Sequence, residues 1–322
     1  MTWWHALIDA GATPAAYTPP PSGGRADAEA GERADLVEDA ELETHAVSQA
    51  AGIPPGVSFL SGIQRWSVVA YDGVVQIVNA YVTAAVCRRD DRGVLHATLE
   101  RSRAFAIAPV GRVSPALRAL LERVAPDIEP IDDALVGQPA RYLEQVESTV
   151  RRARAHLERE VAEAATTALG ADEWLVLDGQ LSRSPAVARH PRALGVIKSH
   201  GAQFLEGRGL ERALTLPAGY RTSVFAVRGG HTRTEVYSWY LRLWPWEGND
   251  LLYGLLRIEA RADPETVTRA PALSGWLWAE RAPLATPATR WDRLLYPLHH
   301  VEEYLKARAP RSPAVRSRLP VA

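Results

Sequence analysis

Glu173-Trp174-Leu175-Val176-Leu177-Asp178-Gly179-Gln180-Leu181 is the stretch whose reading decides the fold. Four apolar residues lead to an acid, and a glycine follows at once. A short apolar run closed by a turn residue reads as a strand buried on both faces, as in an α/β sheet. The polar end of such a strand leaves a dry core at the C-terminal edge of the sheet, where α/β folds place their sites. An acid there can ligate a hard divalent cation through oxygen. The plain alternative is an Asp-Gly turn after a core strand.

Working outward, Ala193–Lys198 (ALGVIK) is a second buried strand, and Ser182–Pro191 is a loop between the two. Residues 202–213 read as a helix, and 220–227, 235–243 and 251–259 as three more strands. Two C-terminal helices follow, at 270–282 and 287–307. Upstream, Gln138–Leu169 carries a helical apolar stripe through Leu143, Val146, Val150, Leu157, Val161, Ala164 and Ala168. Its other face holds Arg141, Arg151, Arg152, Arg154 and Arg159. That face is either solvated or the lining of a phosphate path. Pro115–Val124 is a short helix. Before it comes an antiparallel meander: Val57–Leu60 turning at Ser61-Gly62, Ile63–Tyr71 turning at Asp72-Gly73, then 74–86 and 94–108, the last carrying Glu100. Glu32–Ala51 reads as a solvated helix and 13–31 (with TPPPSGG) as a flexible connector. Met1–Ala10 places Trp3, Trp4 and Leu7 near one helical face. They are either docked on their own domain or exposed as an anchor for a partner. The domain division is therefore 1–51 as an N-terminal segment, 52–308 as the main domain and 309–322 as a disordered tail.

Composition narrows the function. The 322 residues are 47% hydrophobic with net charge −1, enough for a substantial core and without the basic excess common in autonomous DNA binders. One cysteine, Cys87, excludes an intrachain disulfide framework and a multi-cysteine zinc site. No apolar run approaches the ~20 residues of a membrane span, so the expectation is a soluble, cytoplasmic protein. No Walker loop, HExxH, CxxC or G-x-S-x-G setting occurs, which removes nucleotide hydrolysis and serine-hydrolase chemistry. Gly229-Gly230-His231 reads as a hairpin turn. What remains is acids at strand ends: Asp178, Glu100, Asp72 and Glu302, with Lys198 as a point charge for a phosphate oxygen. Of His299 and His300, adjacent on a helix and so about 100° apart, only one can face a given site.

Several blocks, in order, resemble the NurA nucleases, partners of HerA-type hexameric DNA-translocating ATPases. They are Phe59-Leu60-Ser61-Gly62-Ile63-Gln64-Arg65, Leu99-Glu100-Arg101, Leu175–Leu181, Gly195-Val196-Ile197-Lys198-Ser199, Gly254–Glu259 and Tyr296-Pro297-Leu298. The resemblance implies an RNase H-like mixed sheet flanked by helices. It also implies a homodimer docked on a HerA hexamer, and Mn²⁺- or Mg²⁺-dependent DNA cleavage in end processing or defence against foreign DNA. It maps metal ligation to Glu100 and Asp178, with Glu302 as the best-placed further ligand, His300 second, and Lys198 as the basic residue after a buried strand. The family has aspartate where this chain has Ser61. A neutral hydroxyl is a poor ligand for either ion, so the resemblance also leaves open a catalytically impaired adaptor subunit of the ATPase.

Overall fold

The computed structural model describes residues 3–14, 34–48, 54, 56–199, 204–228, 234–247, 249–282, 293 and 295–310. The decisive stretch is a strand: β8 (Glu173–Asp178) is buried from Trp174 to Leu177. It lies between β4 (Gly56–Asp72) and β9 (Ala193–Ile197), parallel to both. The meander extends the sheet beyond β4: β5 (Val75–Arg89) and β6 (Leu95–Ala108) follow antiparallel, and β7 (Ile128–Pro130) pairs with the end of β6. On the other side β9 is followed by β13 (Leu255–Arg261), β12 (Val236–Arg242) and β11 (Phe225–Val227). The short strands β1 (Thr13–Pro14), β2 (Ala34–Leu36), β3 (Thr44–Ala46) and β10 (Tyr220–Thr222) pair at its margins. The architecture is a large mixed sheet flanked by helices, an α/β fold.

Two faces of the sheet carry two cores. Strand residues alternate between them because successive side chains point to opposite sides. Leu60, Leu175 and Leu177 pack with Val146, Val150, Leu157 and Val161 of α3 (Pro139–Ala168). Val57, Phe59, Trp174 and Val176 pack with Leu273 and Trp276 of α6 (Pro264–Ala279) and with Leu298, Val301 and Leu305 of α7 (Tyr296–Arg308). Each such side chain contributes about 1.5–3 kcal/mol on burial. That fixes the rotation of α3 and α7, and so which polar residues each turns toward the sheet edge. A third cluster joins α1 (Trp3–Asp9) and α2 (Pro115–Val124) to the far end of β4, β5 and β6.

Several expectations are corrected. Ser61-Gly62 is no turn: it lies inside the 17-residue β4, paired with Ala85 and Ala84, so two expected strands are one. Over residues 34–48, the described part of the expected solvated helix Glu32–Ala51, the chain instead forms β2 and β3, which pair in the main sheet. The strand at 220–227 is broken into two, that at 251–259 begins at Leu255, and the expected loop after Asp178 contains α4 (Pro185–Ala188). The helix at 202–213 is α5 (Gly207–Leu214), and that at 270–282 starts earlier, where Asp263 accepts from Glu265 N. Trp3, Trp4 and Leu7 form no exposed anchor. Leu7 and Trp4 are buried against the chain's own domain, and Trp3 Nε1 donates to Asn79 Oδ1 at 3.2 Å. Gly229-Gly230-His231 and the tail after 310 lie outside the described residues. No described helix is long and apolar enough to cross a membrane.

Candidate functional site

The C-terminal ends of β8 and β9 open into a cavity of about 730 Å³, walled by α3 on one side and α7 on the other. Asp178 closes β8. Its Oδ2 accepts from Lys198 Nζ at 2.8 Å and from Ser61 Oγ at 3.2 Å. Lys198, just past β9, also reaches Glu302 Oε1 of α7 at 3.5 Å. Burial opposes charge on all three groups, but their mutual attraction decides the outcome for two of them. The Lys198 ammonium holds Asp178 below the usual carboxylate range, and the two acids hold Lys198 above the usual range for an amine. Glu302 goes the other way: burial raises it, Lys198 only partly offsets that, and neighbouring Asp178 adds to the rise.

A third acid enters from α3. Glu158 lines the cavity, and its carboxyl is pushed up to about 7, first by burial and then by Asp178 and Glu302, against the pull of Arg154. Arg154 Nε is 3.6 Å from Glu158 Oε1. Gly62 of β4 leaves room for this carboxyl where it lies: a Cβ there would stand 2.5 Å from Glu158 Oε1, so the side chain would have to shift. Gly195 has a comparable role in β9, where a Cβ would meet the Gly179 carbonyl at 2.6 Å. The turn after Asp178 is held from beneath by Glu259 of β13, whose Oε2 accepts from Leu181 N at 2.7 Å and Ser182 N at 3.2 Å. Arg257 supplies the countercharge to Glu259 at 2.7 Å. This buried pair positions the strand end without touching the cavity.

The cavity wall is cationic. Arg151, Arg154 and Arg159 of α3 line it, as do Arg183 and Lys306. Three of the five arginines on the basic face of α3 thus line the cavity; Arg141 and Arg152 do not.

Asp178, Lys198 and Glu302 are brought together as expected. Glu100 is not. It lies in one row with Ala85 and Ser61 across β6, β5 and β4, three inter-strand steps from β8 and so roughly 14 Å away. Its carboxylate accepts from Tyr304 Oη at 2.9 Å and pairs with Arg308 at 3.2 Å, and it does not line the cavity. Co-ligation of one ion by Glu100 and Asp178 is therefore corrected. His300 is corrected too: His299, Glu302 and Lys306, spaced i, i+3, i+7 on one face of α7, line the cavity, and His300 points elsewhere. Asp72, another of the candidate strand-end acids, lies far from Ser61 and the cavity. It sits roughly 36 Å further along β4, accepting from Ser114 N at 2.6 Å. The buried Cys87 thiol is pushed up to about 11 by burial, with Glu100 adding, which removes it as a nucleophile.

Glu158 escaped the sequence reading because an acid among arginines on a long helix looks solvated. The usable signal was its spacing, seven residues after Arg151 and four after Arg154, which puts all three on one face.

Mg²⁺ and related ions use one or two carboxylates and keep several waters rather than demanding an all-protein cage. Asp178 and Glu302, with Glu158 across the cavity, meet that requirement. Their ligand atoms do not gather as tightly as those of Glu38, Asp39 and His45, which lie within 4.8 Å of one another and can hold a metal ion. In that second group Glu38 is already clamped by both terminal nitrogens of Arg221, at 2.6 and 2.7 Å. Asp39 accepts from Ser223 Oγ at 2.6 Å and pairs with His45 at 2.9 Å.

The resemblance to NurA nucleases finds no second witness in wider comparison: no family model matches the chain, and no curated protein sequence does.

Proposed function

We propose that the chain is a NurA-like nuclease subunit that hydrolyses DNA phosphodiesters with the help of Mn²⁺ or Mg²⁺. The observation that carries this reading is the pairing of Asp178, Glu302 and Glu158 with a wall of arginines in one cavity. Acids that can hold a divalent ion and cations that can hold phosphate oxygens are the two requirements of metal-assisted phosphoryl chemistry. The ion, when bound, lowers the pKa of a water and offsets charge on the phosphate. Asp178 and Glu302 hold it, Glu158 takes up a proton near neutral pH, and Lys198 orients the two acids. Arg151, Arg154 and Arg159 bind and align the strand. The accompanying fold reading is RNase H-like. It is supported by the run β6-β5-β4-β8-β9, antiparallel over the first three strands and parallel over the last three.

Near-neutral net charge favours delivery of DNA by a motor over capture from solution. Docking on a HerA-type hexamer, a homodimeric state and a role in DNA end processing or defence rest on the resemblance. Ser61 supports a second reading, a non-catalytic adaptor, because it puts a hydroxyl beside Asp178 where the family has an acid. One assay separates the two: linear and single-stranded DNA incubated with the chain and Mn²⁺, with and without the ATPase. Cleavage abolished by Asp178→Ala supports the nuclease. Cleavage only after Ser61→Asp supports the adaptor.

A further inference from the structure

We propose that this site takes a single divalent cation and that the Lys198 ammonium stands where a two-ion site would have its second. The inference rests on the nuclease reading above and concerns the number of ions.

In two-ion sites a pair of metals about 3.5–4 Å apart is bridged and flanked by carboxylates. Here the space between Asp178 and Glu302 is already spanned by a cation that belongs to the chain. Lys198 Nζ is 2.8 Å from one carboxylate and 3.5 Å from the other. It has little room to leave, since its side chain is only 11% exposed and emerges directly from the buried end of β9. The neighbour that would supply another carboxylate is Ser61, whose neutral hydroxyl spends itself on the same Asp178 oxygen.

Charge points the same way. The cluster holds three carboxylates, Glu158, Asp178 and Glu302, against Lys198, the Arg154 guanidinium beside Glu158, and Lys306, 3.8 Å from Glu302. Fully ionised, three negative charges face three positive ones. One divalent ion leaves two positive charges, which an incoming phosphodiester offsets in part. A second ion would leave four in a cavity already walled by Arg151, Arg159 and Arg183, where like charges repel strongly at short range. The ligands left for an ion are the Asp178 and Glu302 carboxylate oxygens that Lys198 does not hold.

The test counts ions without measuring activity. Mn²⁺ is titrated into the full chain by isothermal calorimetry and by loss of the free-ion electron paramagnetic resonance signal. The stoichiometry of the Asp178→Asn variant is subtracted to remove ions bound elsewhere. We expect a difference of one per chain for the wild type and for Lys198→Arg, and of two for Lys198→Gln. A wild-type difference of two, or a dipolar-coupled Mn²⁺ pair in its saturated spectrum, overturns the inference and leaves the nuclease reading standing. A wild-type difference of zero sinks the cation reading itself. If Lys198→Gln loses the wild-type circular dichroism spectrum, the wild-type stoichiometry and the coupled-pair signal still decide the matter. A folded Lys198→Gln that binds only one ion also overturns the inference.

Discussion

Glu158 is the residue whose environment makes the sharpest demand on solution behaviour. Its carboxyl is pushed up to about 7, against 4.5 for the free side chain, so the folded protein holds a proton that the unfolded chain releases between those values. Stability therefore falls as pH rises from about 4.5 through about 7, because above that range the native state keeps a buried charge with inadequate compensation. Glu158→Gln removes the penalty. It is expected to be near neutral at pH 5 and to stabilise by about 1–3 kcal/mol at pH 8. Urea denaturation in EDTA at the two pH values checks this, and equal effects at both would refute it. Asp178 and Lys198 were visible as charged ends of apolar runs, whereas Glu158 carries no such mark: what distinguishes it is that Gly62, nearly a hundred residues earlier, leaves room for its carboxyl.

At the scale of elements, the strand ends depend on interactions that lie away from the cavity. Arg242 of β12 is fully buried, and its guanidinium donates to four carbonyls: Leu216 at 3.1 Å, Leu214 at 2.6 Å, Leu251 at 3.0 Å, and Tyr253. Two loops thereby satisfy backbone acceptors that a dry core cannot. Arg242→Met fills similar volume but orphans those carbonyls, and is expected to cost about 3–5 kcal/mol in chemical denaturation. Glu259 acts nearer the site. Glu259→Gln leaves Arg257 without a countercharge and weakens the grip on Leu181 and Ser182, so Asp178 loses its fixed backbone. We expect cleavage to fall while affinity for DNA in EDTA stays within about twofold, since the arginine wall belongs to α3. Unchanged cleavage would show that the turn needs no such support. The sequence exposed most long elements, since periodicity is a local property. It hid the continuity of β4, because Ser-Gly is turn chemistry in isolation and only pairing with Ala85 and Ala84 keeps it extended.

For the whole molecule, net charge of −1 means that affinity for a polyanion must come from one face and not from the global field. Arg151 and Arg159 line the cavity from α3, so replacing both with glutamate is predicted to weaken DNA binding about equally across sequences. The slope of log K against log salt should fall by roughly 0.7–0.9 for each phosphate that is no longer neutralised. Fluorescence anisotropy between 50 and 300 mM salt, in EDTA, measures both. A slope that does not move would place DNA on another surface.

By itself the sequence determined that the chain is α/β, that β8 is a core strand with Asp178 at its polar end, and that Lys198 ends a neighbouring one, because apolar run length and turn chemistry are written locally. The tertiary structure decided which acids meet. Glu100 was separated from Asp178 by two intervening strands and given to Tyr304 and Arg308, while Glu158 was brought in by the packing of α3. Strand order and helix rotation follow from how whole apolar faces fit together, and no single stretch of sequence carries that information.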